Sequence, residues 1–184
     1  MNKKENENLK NKPIKRQKIT IGSIVEIPVE GNYYVYAQIL PFGNCAVFDY
    51  RCKRQLTDFS VLNSSSVLFV VTIYDYIITK GLWEKVGKIP IRKELESIRN
   101  NYMYDKYTNQ FSLYNEMTGE ITPSTKAKAR GLERAAVWAE NHVEDRIRDY
   151  YNHVPCIWLK EHYELFPESL PRGNGEKGNE DNSE

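Results

Sequence analysis

The 184-residue sequence has little of what marks several specialised protein classes. Its three cysteines, Cys45, Cys52 and Cys156, are an odd number without CxxC spacing, which favours reduced thiols over a disulfide framework. The longest apolar run, Val67–Val71, is far shorter than the roughly 20 residues that cross a membrane. A net charge of +1 gives no overall attraction to nucleic acids or membranes. We therefore expect a reduced, cytoplasmic protein without a membrane segment.

Both ends of the sequence have the composition of disordered tails. Residues 1–18 contain seven Lys or Arg against two Glu, and no apolar segment of a signal peptide follows them. Residues 171–184 contain mainly Gly, Asn and acidic residues, which cannot form a core. A single folded domain is therefore expected over residues 19–170, between a basic N-terminal tail and a C-terminal tail.

The first part of the expected domain, residues 20–92, has the patterns of short β-strands throughout. Apolar residues alternate with polar ones, and Gly, Pro and Asn mark the turns between the runs. Such a series predicts a small, strongly curved antiparallel sheet or an SH3-like barrel. The strands are predicted at Ile24–Val29, Tyr33–Leu40, Asn44–Tyr50, Val67–Ile73 and residues 82–86.

The second of these strands shows which side chains are expected inside. Alternation predicts that Val35 and Ala37 face the core, and that Tyr34, Tyr36 and Gln38 face outward or toward a partner. Tyrosine adds contact area and a polar group at low entropic cost, so outward tyrosines are typical of interfaces. The alternative is that tyrosine simply suits half-buried strands.

The remainder of the domain, residues 108–153, is predicted to contain a hairpin and one long helix. Gln110–Tyr114 and Glu120–Thr122 flank a Met-Thr-Gly turn. Ser124 or Thr125 is the expected N-cap of a helix that continues to Tyr151. The fold class is therefore α+β, with the sheet packed against this helix. Its apolar stripe contains Leu132, Ala135, Ala136, Ala139, Val143, Ile147 and Tyr150.

Two shorter segments complete the expected fold. A short helix through Leu95 and Ile98 is expected between the sheet and the hairpin. Pro155–Leu159, with the sequence PCIWL, is predicted to form a further strand. Cys45 and Cys156 lie within apolar patterns and are expected to be packing residues.

No familiar catalytic or metal-binding motif is present in the sequence. His142, His153 and His162 form neither HxxxH nor HExxH, and no GxSxG or phosphate-binding loop occurs. We therefore predict no catalytic residue, no metal ligand and no cofactor.

The start of the predicted long helix is basic, against the preference of the helix dipole. Lys126, Lys128 and Arg130 precede its first acidic residue, Glu133. Such an end is able to hold an anion or an acidic partner. The alternative is that these cations pair with acidic residues elsewhere, or that the helix begins later.

The runs IGSIVEIPVEGNYYVYAQIL, AVFDY and VLFVVTIYDYIITKGLWEKVGKIPI resemble the immunity protein 26 family of bacterial polymorphic toxin systems. The resemblance covers about residues 20–92. It implies a non-enzymatic cytoplasmic protein that binds and neutralises a cognate toxin by non-covalent contact. The residues that carry it are Gly22, Ile27, Pro28, Tyr36, Gln38, Gly81, Trp83 and Gly87.

Two other functions remain open at this stage. SH3-like modules are able to bind nucleic acids, and the N-terminal tail is basic, but the Lys and Arg residues do not gather on one strand face. An enzyme with an unfamiliar site would have a deep pocket with convergent polar groups. The oligomeric state does not follow from the sequence.

Five residues are predicted to contact the toxin. We expect alanine at each of them to weaken toxin binding while the melting temperature stays nearly unchanged, and a loss of folding at any position would place that side chain in the core. Calorimetric titration and thermal unfolding measure the two quantities. The residues are Tyr34, Tyr36, Tyr102, Tyr104 and Arg130.

Overall fold

The computed structural model describes residues 16–97 and 99–171. The chain divides into two units, residues 1–140 and residues 141–184. Most of the two predicted tails and Ile98 of the predicted short helix lie outside the described residues. Leu95 ends a single 3-10 turn, Lys93–Leu95. No helix among the described residues is both long and apolar enough to cross a membrane.

The first unit contains a six-stranded sheet. Its strands are β1 (Ser23–Val29), β2 (Tyr33–Ile39), β3 (Asn44–Cys52), β4 (Val67–Ile73), β5 (Glu84–Lys88) and β9 (Val137–Trp138). They lie in the order β5-β1-β2-β3-β4-β9. All neighbouring strands are antiparallel except β4 and β9, which are parallel. The expected SH3-like barrel is wrong, because β5 and β9 form two edges of an open, mixed sheet.

The predicted turn between β1 and β2 is present, and it fixes their register. Glu30 and Gly31 both have positive φ, at 50° and 68°, a conformation that glycine adopts without steric cost. The turn pairs Val29 with Tyr33 and Ile24 with Gln38.

The five strands that were predicted within residues 20–92 are all present. The exception to the β pattern is a short helix, α1 (Asp75–Thr79), between β4 and β5.

The six-stranded sheet is buried on both faces at its centre. Val35 and Ala37 have no exposed surface, as predicted, but neither have Tyr36 and Gln38. Tyr36 and Gln38 were predicted to face outward or toward a partner, and the outward orientation is wrong, because residues 56–62 and 89–95 cover their face of the sheet. Alternation identifies the two faces of a strand, but not whether another segment covers the second face.

The edge strand β5 is held by a residue that the sequence assigns to the N-terminal tail. The side-chain amide of Gln17 donates to the carbonyl oxygens of Ile78 and Trp83, and its oxygen accepts from the Lys85 N–H at 2.7 Å. The Gln17 backbone N–H also donates to the Thr79 carbonyl. These bonds satisfy part of an otherwise open strand edge.

A second sheet of three antiparallel strands follows in the same unit, in the order β6-β7-β8. The predicted hairpin is confirmed as β7 (Gln110–Asn115) and β8 (Ile121–Ser124). The first strand, β6 (Asn100–Asp105), was not predicted, because tyrosines fill its sequence and obscure the alternation. In the structure Tyr102 is buried and Met103 is exposed, as the period of a strand requires.

The predicted long helix from Ser124 to Tyr151 is wrong. Thr125 is an N-cap, as predicted, but the helix it begins, α2 (Lys126–Ala129), is a single turn. Gly131 follows with φ of 76°, and the chain then runs without a helix through a β-bridge at Arg134 to β9. Its backbone groups bond to β6 and β4 instead of to a helical turn. Tertiary hydrogen bonds thus outweigh the helical periodicity of the side chains.

The second unit is helical over its described residues. Helix α3 (Glu140–Asn152) begins at the boundary and is followed by a 3-10 turn (Ile157–Leu159), α4 (Lys160–Leu165) and a last 3-10 turn (Pro167–Ser169). The strand predicted at Pro155–Leu159 is therefore wrong. Arg148 forms an ion pair with Asp145, one turn earlier on α3, with 2.5 Å between the nearest atoms. The Asp145 carboxylate also accepts from the Trp158 indole N–H at 2.9 Å.

Gly87 on β5 is required by the close approach of Phe59. A Cβ atom at Gly87 would lie 2.5 Å from the Phe59 ring, although the Gly87 backbone itself does not need glycine. We expect Gly87→Ala to lower the free energy of unfolding by about 1–3 kcal/mol, because it overpacks this contact. Chemical denaturation measures the change.

The matched control for Gly87 is the same substitution in a Phe59→Ala background. There the ring is absent, and Gly87→Ala should cost little beyond the effect of Phe59→Ala. An equal loss in both backgrounds would show that Phe59 is not the reason for glycine at this position.

Candidate functional site

The first unit contains an open cleft of about 660 Å³ between its two sheets and the chain that follows α2. One wall comes from β4, another from β6 and β7, and a third from the residues around Gly131. The cleft combines apolar and charged side chains. It is lined by Val70, Arg99, Asn100, Asn101, Leu113, Lys128, Gly131, Leu132 and Glu133.

A carboxylate in the β7–β8 turn holds the two sheets in place around this cleft. One oxygen of Glu116 accepts from the Asn44 amide and the other from the Asn101 amide, each at 2.7 Å. Asn44 lies on β3 and Asn101 on β6, so the carboxylate bridges the sheets. The Thr72 hydroxyl donates to the Asn44 amide oxygen at 3.0 Å, which fixes the orientation of that amide.

The third wall of the cleft is fixed by backbone hydrogen bonds. The Tyr102 N–H donates to the Glu133 carbonyl at 2.9 Å, and the Ala135 N–H donates to the Tyr102 carbonyl at 2.8 Å. Two residues further on, Val137 pairs with Thr72 on β4. The segment after α2 is thereby attached to both sheets, and Leu132 and Glu133 take defined positions on the cleft wall.

The cleft presents charged and apolar side chains that are able to bind a partner. Two cationic side chains, Arg99 and Lys128, face an apolar surface, and Glu133 is engaged in an interaction of its own. Cys45, elsewhere in the unit, is a poor nucleophile, because burial raises the pKa of its thiol to about 12. No group of three or more His, Cys, Asp or Glu side chains within the described ranges is arranged to hold a metal ion.

The predicted toxin-binding residues of β2 lie apart from the cleft. Tyr36 is fully buried, and its hydroxyl donates to Glu26 at 3.0 Å and accepts from the Leu56 N–H at 2.8 Å. Burial raises the pKa of Tyr36 well above its ordinary value. Tyr34 is half-buried and packs against the same cluster. In the fold as it stands Tyr36 presents no surface to a partner.

The other three predicted residues lie closer to the cleft. Tyr102 is fully buried on β6, beside the cleft residue Asn101. Tyr104 is half-buried and its hydroxyl donates to the Asn109 side chain at 3.0 Å. Arg130 is exposed and directly precedes Gly131. For the buried Tyr36 and Tyr102, alanine is now expected to lower the melting temperature, which changes the earlier expectation for these two positions.

Only some of the residues of the cleft could be identified from the sequence. The basic character of residues 126–130 was visible, and Lys128 does line the cleft. Nothing in the sequence connects Glu116 with Asn44, which lies 72 residues earlier, because their contact depends on how the two sheets pack. Arg99 was not identified either, because its position in the cleft also depends on how the two sheets pack.

The comparisons with known proteins bear on the same unit. The family model described as Immunity protein 26 matches residues 20–113, slightly more than half of the chain. The chain belongs to this family. Neither the curated proteins nor the solved structures contain a significant match. The matched residues of this Immunity protein 26 member run from β1 through most of β7 and include two walls of the cleft.

The family-motif residues of this Immunity protein 26 member have structural roles. The Gln38 amide donates to the carbonyl oxygens of Gly22 and Ile89. These bonds join β2 to the residue before β1 and to the residue after β5. Gly22 has φ of 85°, which favours glycine. Trp83 is fully buried, and Gly87 makes room for Phe59. The motif thus maintains the scaffold and leaves the cleft charges outside it.

Glu116 is the residue whose change should most directly loosen the cleft. In Glu116→Gln an amide group replaces one carboxylate oxygen and faces an asparagine donor, so one of the two 2.7 Å bonds is lost. We expect the free energy of unfolding to fall by about 1–3 kcal/mol. Denaturant titration measures it.

The control for Glu116 is Glu120→Gln, an exposed position in the same turn. This change should alter the free energy of unfolding by less than about 0.5 kcal/mol. If the two variants are equally stable, the bridge between the sheets contributes nothing measurable.

Proposed function

We propose that this chain is a bacterial immunity protein that binds a cognate polymorphic toxin non-covalently and neutralises it. The observation that carries the proposal is membership of the Immunity protein 26 family over residues 20–113. The cleft and its charged side chains support a binding role, because they lie on a scaffold held by hydrogen bonds. The proposed site of action is the cytoplasm of the cell that makes the chain, and the proposed activity is inhibition rather than catalysis.

The physical demands of such an inhibitor fit this scaffold. A specific protein complex buries about 800 Å² on each partner, with a few anchor residues at its centre. Rigid surfaces bind more tightly than mobile ones, because less conformational entropy is lost. The Glu116 bridge and the backbone bonds of residues 133–135 supply that rigidity around the cleft.

Nucleic-acid binding is the alternative function, and the cations of the cleft are the observation that favours it. Arg99 and Lys128 are able to contact phosphate groups as well as carboxylates. Base stacking, however, needs exposed aromatic side chains, and no aromatic residue lines the cleft among the described residues. A steep fall of affinity with salt would mark nucleic-acid binding.

A protection assay tests the proposed function. The protein encoded beside this gene is expressed in a bacterium with this chain, without it, and with an empty vector. We expect the neighbour to kill alone and the cells to survive when both proteins are present. Colony counts give the result, and equal killing with and without the chain would refute the proposal for that pair.

A further inference from the structure

Two positively charged side chains, Arg99 and Lys128, line the cleft. The Arg99 guanidinium donates to the Leu95 carbonyl at 3.2 Å, and neither Arg99 nor Lys128 has a carboxylate partner within residues 16–97 and 99–171. Glu133 shares the cleft, but it takes part in another interaction. Arg99 is half-buried and Lys128 is exposed. An incoming carboxylate gains more from a partly desolvated cation such as Arg99 than from a fully hydrated one.

The same cleft has an apolar side. Val70, Leu113 and Leu132 are all partly exposed where they line it. A volume of about 660 Å³ lies within the range of sites that enclose a whole ligand, and it is large enough for several side chains of one segment. An occupant with both acidic and apolar side chains therefore matches the lining better than a phosphate backbone does.

We propose that the cleft binds an acidic segment of the cognate toxin. Carboxylates of that segment lie against Arg99 and Lys128, and a neighbouring apolar side chain packs on Val70, Leu113 and Leu132. This inference rests on the proposed function and specifies the part of the toxin that is recognised. Charge complementarity carries it, and the absence of aromatic side chains from the described lining favours a protein segment over single-stranded nucleic acid.

Binding between the full chain and the purified neighbour protein tests the inference. The informative variants are Lys128→Glu, which reverses one charge, and Arg99→Gln, which removes the other. Lys128→Met keeps the apolar stem of the side chain and serves as a second, milder variant. Lys53→Glu is the matched control, because Lys53 is exposed just after β3, away from the cleft, and undergoes the same charge change. Thermal unfolding checks that each variant is folded.

We expect Lys128→Glu to weaken binding at least about tenfold, and Arg99→Gln and Lys128→Met to weaken it by a smaller factor. Lys53→Glu should stay within about twofold of the unaltered chain. A Glu or Asp of the neighbour protein whose replacement by Lys restores binding to the Lys128→Glu variant would identify the acidic segment itself.

The other outcomes each overturn a different statement. If the unaltered chain binds its neighbour and Lys128→Glu binds equally well, the cleft is not the interface, while the proposed function stands. If the unaltered chain does not bind, the proposed function fails for that pair and the inference fails with it. If a single-stranded oligonucleotide binds instead, and Lys128→Glu abolishes that binding, the occupant is nucleic acid and the protein segment is refuted.

Discussion

The arrangement of the first unit depends on one carboxylate, that of Glu116, placed between two asparagine amides. Each of its oxygens accepts one short hydrogen bond, and each amide belongs to a different sheet. A half-buried carboxylate must have its charge compensated by donors, since its desolvation is otherwise costly. Because Asn44 and Asn101 both donate to it, the carboxylate joins the two sheets. The backbone hydrogen bonds of residues 133–137 join the same sheets, so the two sets of bonds together fix the width of the cleft.

Five of the six strands of the first sheet were predictable, because their signals are local. Strand alternation and turn residues such as Gly31 lie within a few positions of each other, and the hydrogen bonds of β1 and β2 join neighbours in sequence. The same holds for the β7–β8 hairpin. Burial of Tyr36 was not predictable, because the segment that covers it begins about 20 residues later, at Leu56. The alternating pattern of β2 would be the same whether or not a later segment packed on its second face, so the pattern does not reveal that burial.

The long helix shows a different limit of sequence reasoning. Its apolar spacing was real, and Val143 and Ile147 of α3 are indeed buried. Residues 132–138 have the same spacing but are not helical, because their backbone groups bond to strands β6 and β4. Gly131, which the helix prediction did not take into account, marks the break and has a positive φ. The cleft was not predictable either, because its lining residues come from four separate elements, β4, β6, β7 and α2, and from the chain beside them.

The burial of the family-motif residues has a consequence for how such a protein changes over generations. Gly22, Gln38, Trp83 and Gly87 act inside the scaffold, whereas Arg99 and Lys128 contribute charge at its surface. Exposed positions tolerate most replacements with little loss of stability. Replacement of an exposed residue such as Lys128 is therefore able to change the charge of the cleft while folding is preserved. In a lineage with this architecture, the chemistry of the cleft and the stability of the scaffold are thus free to change independently.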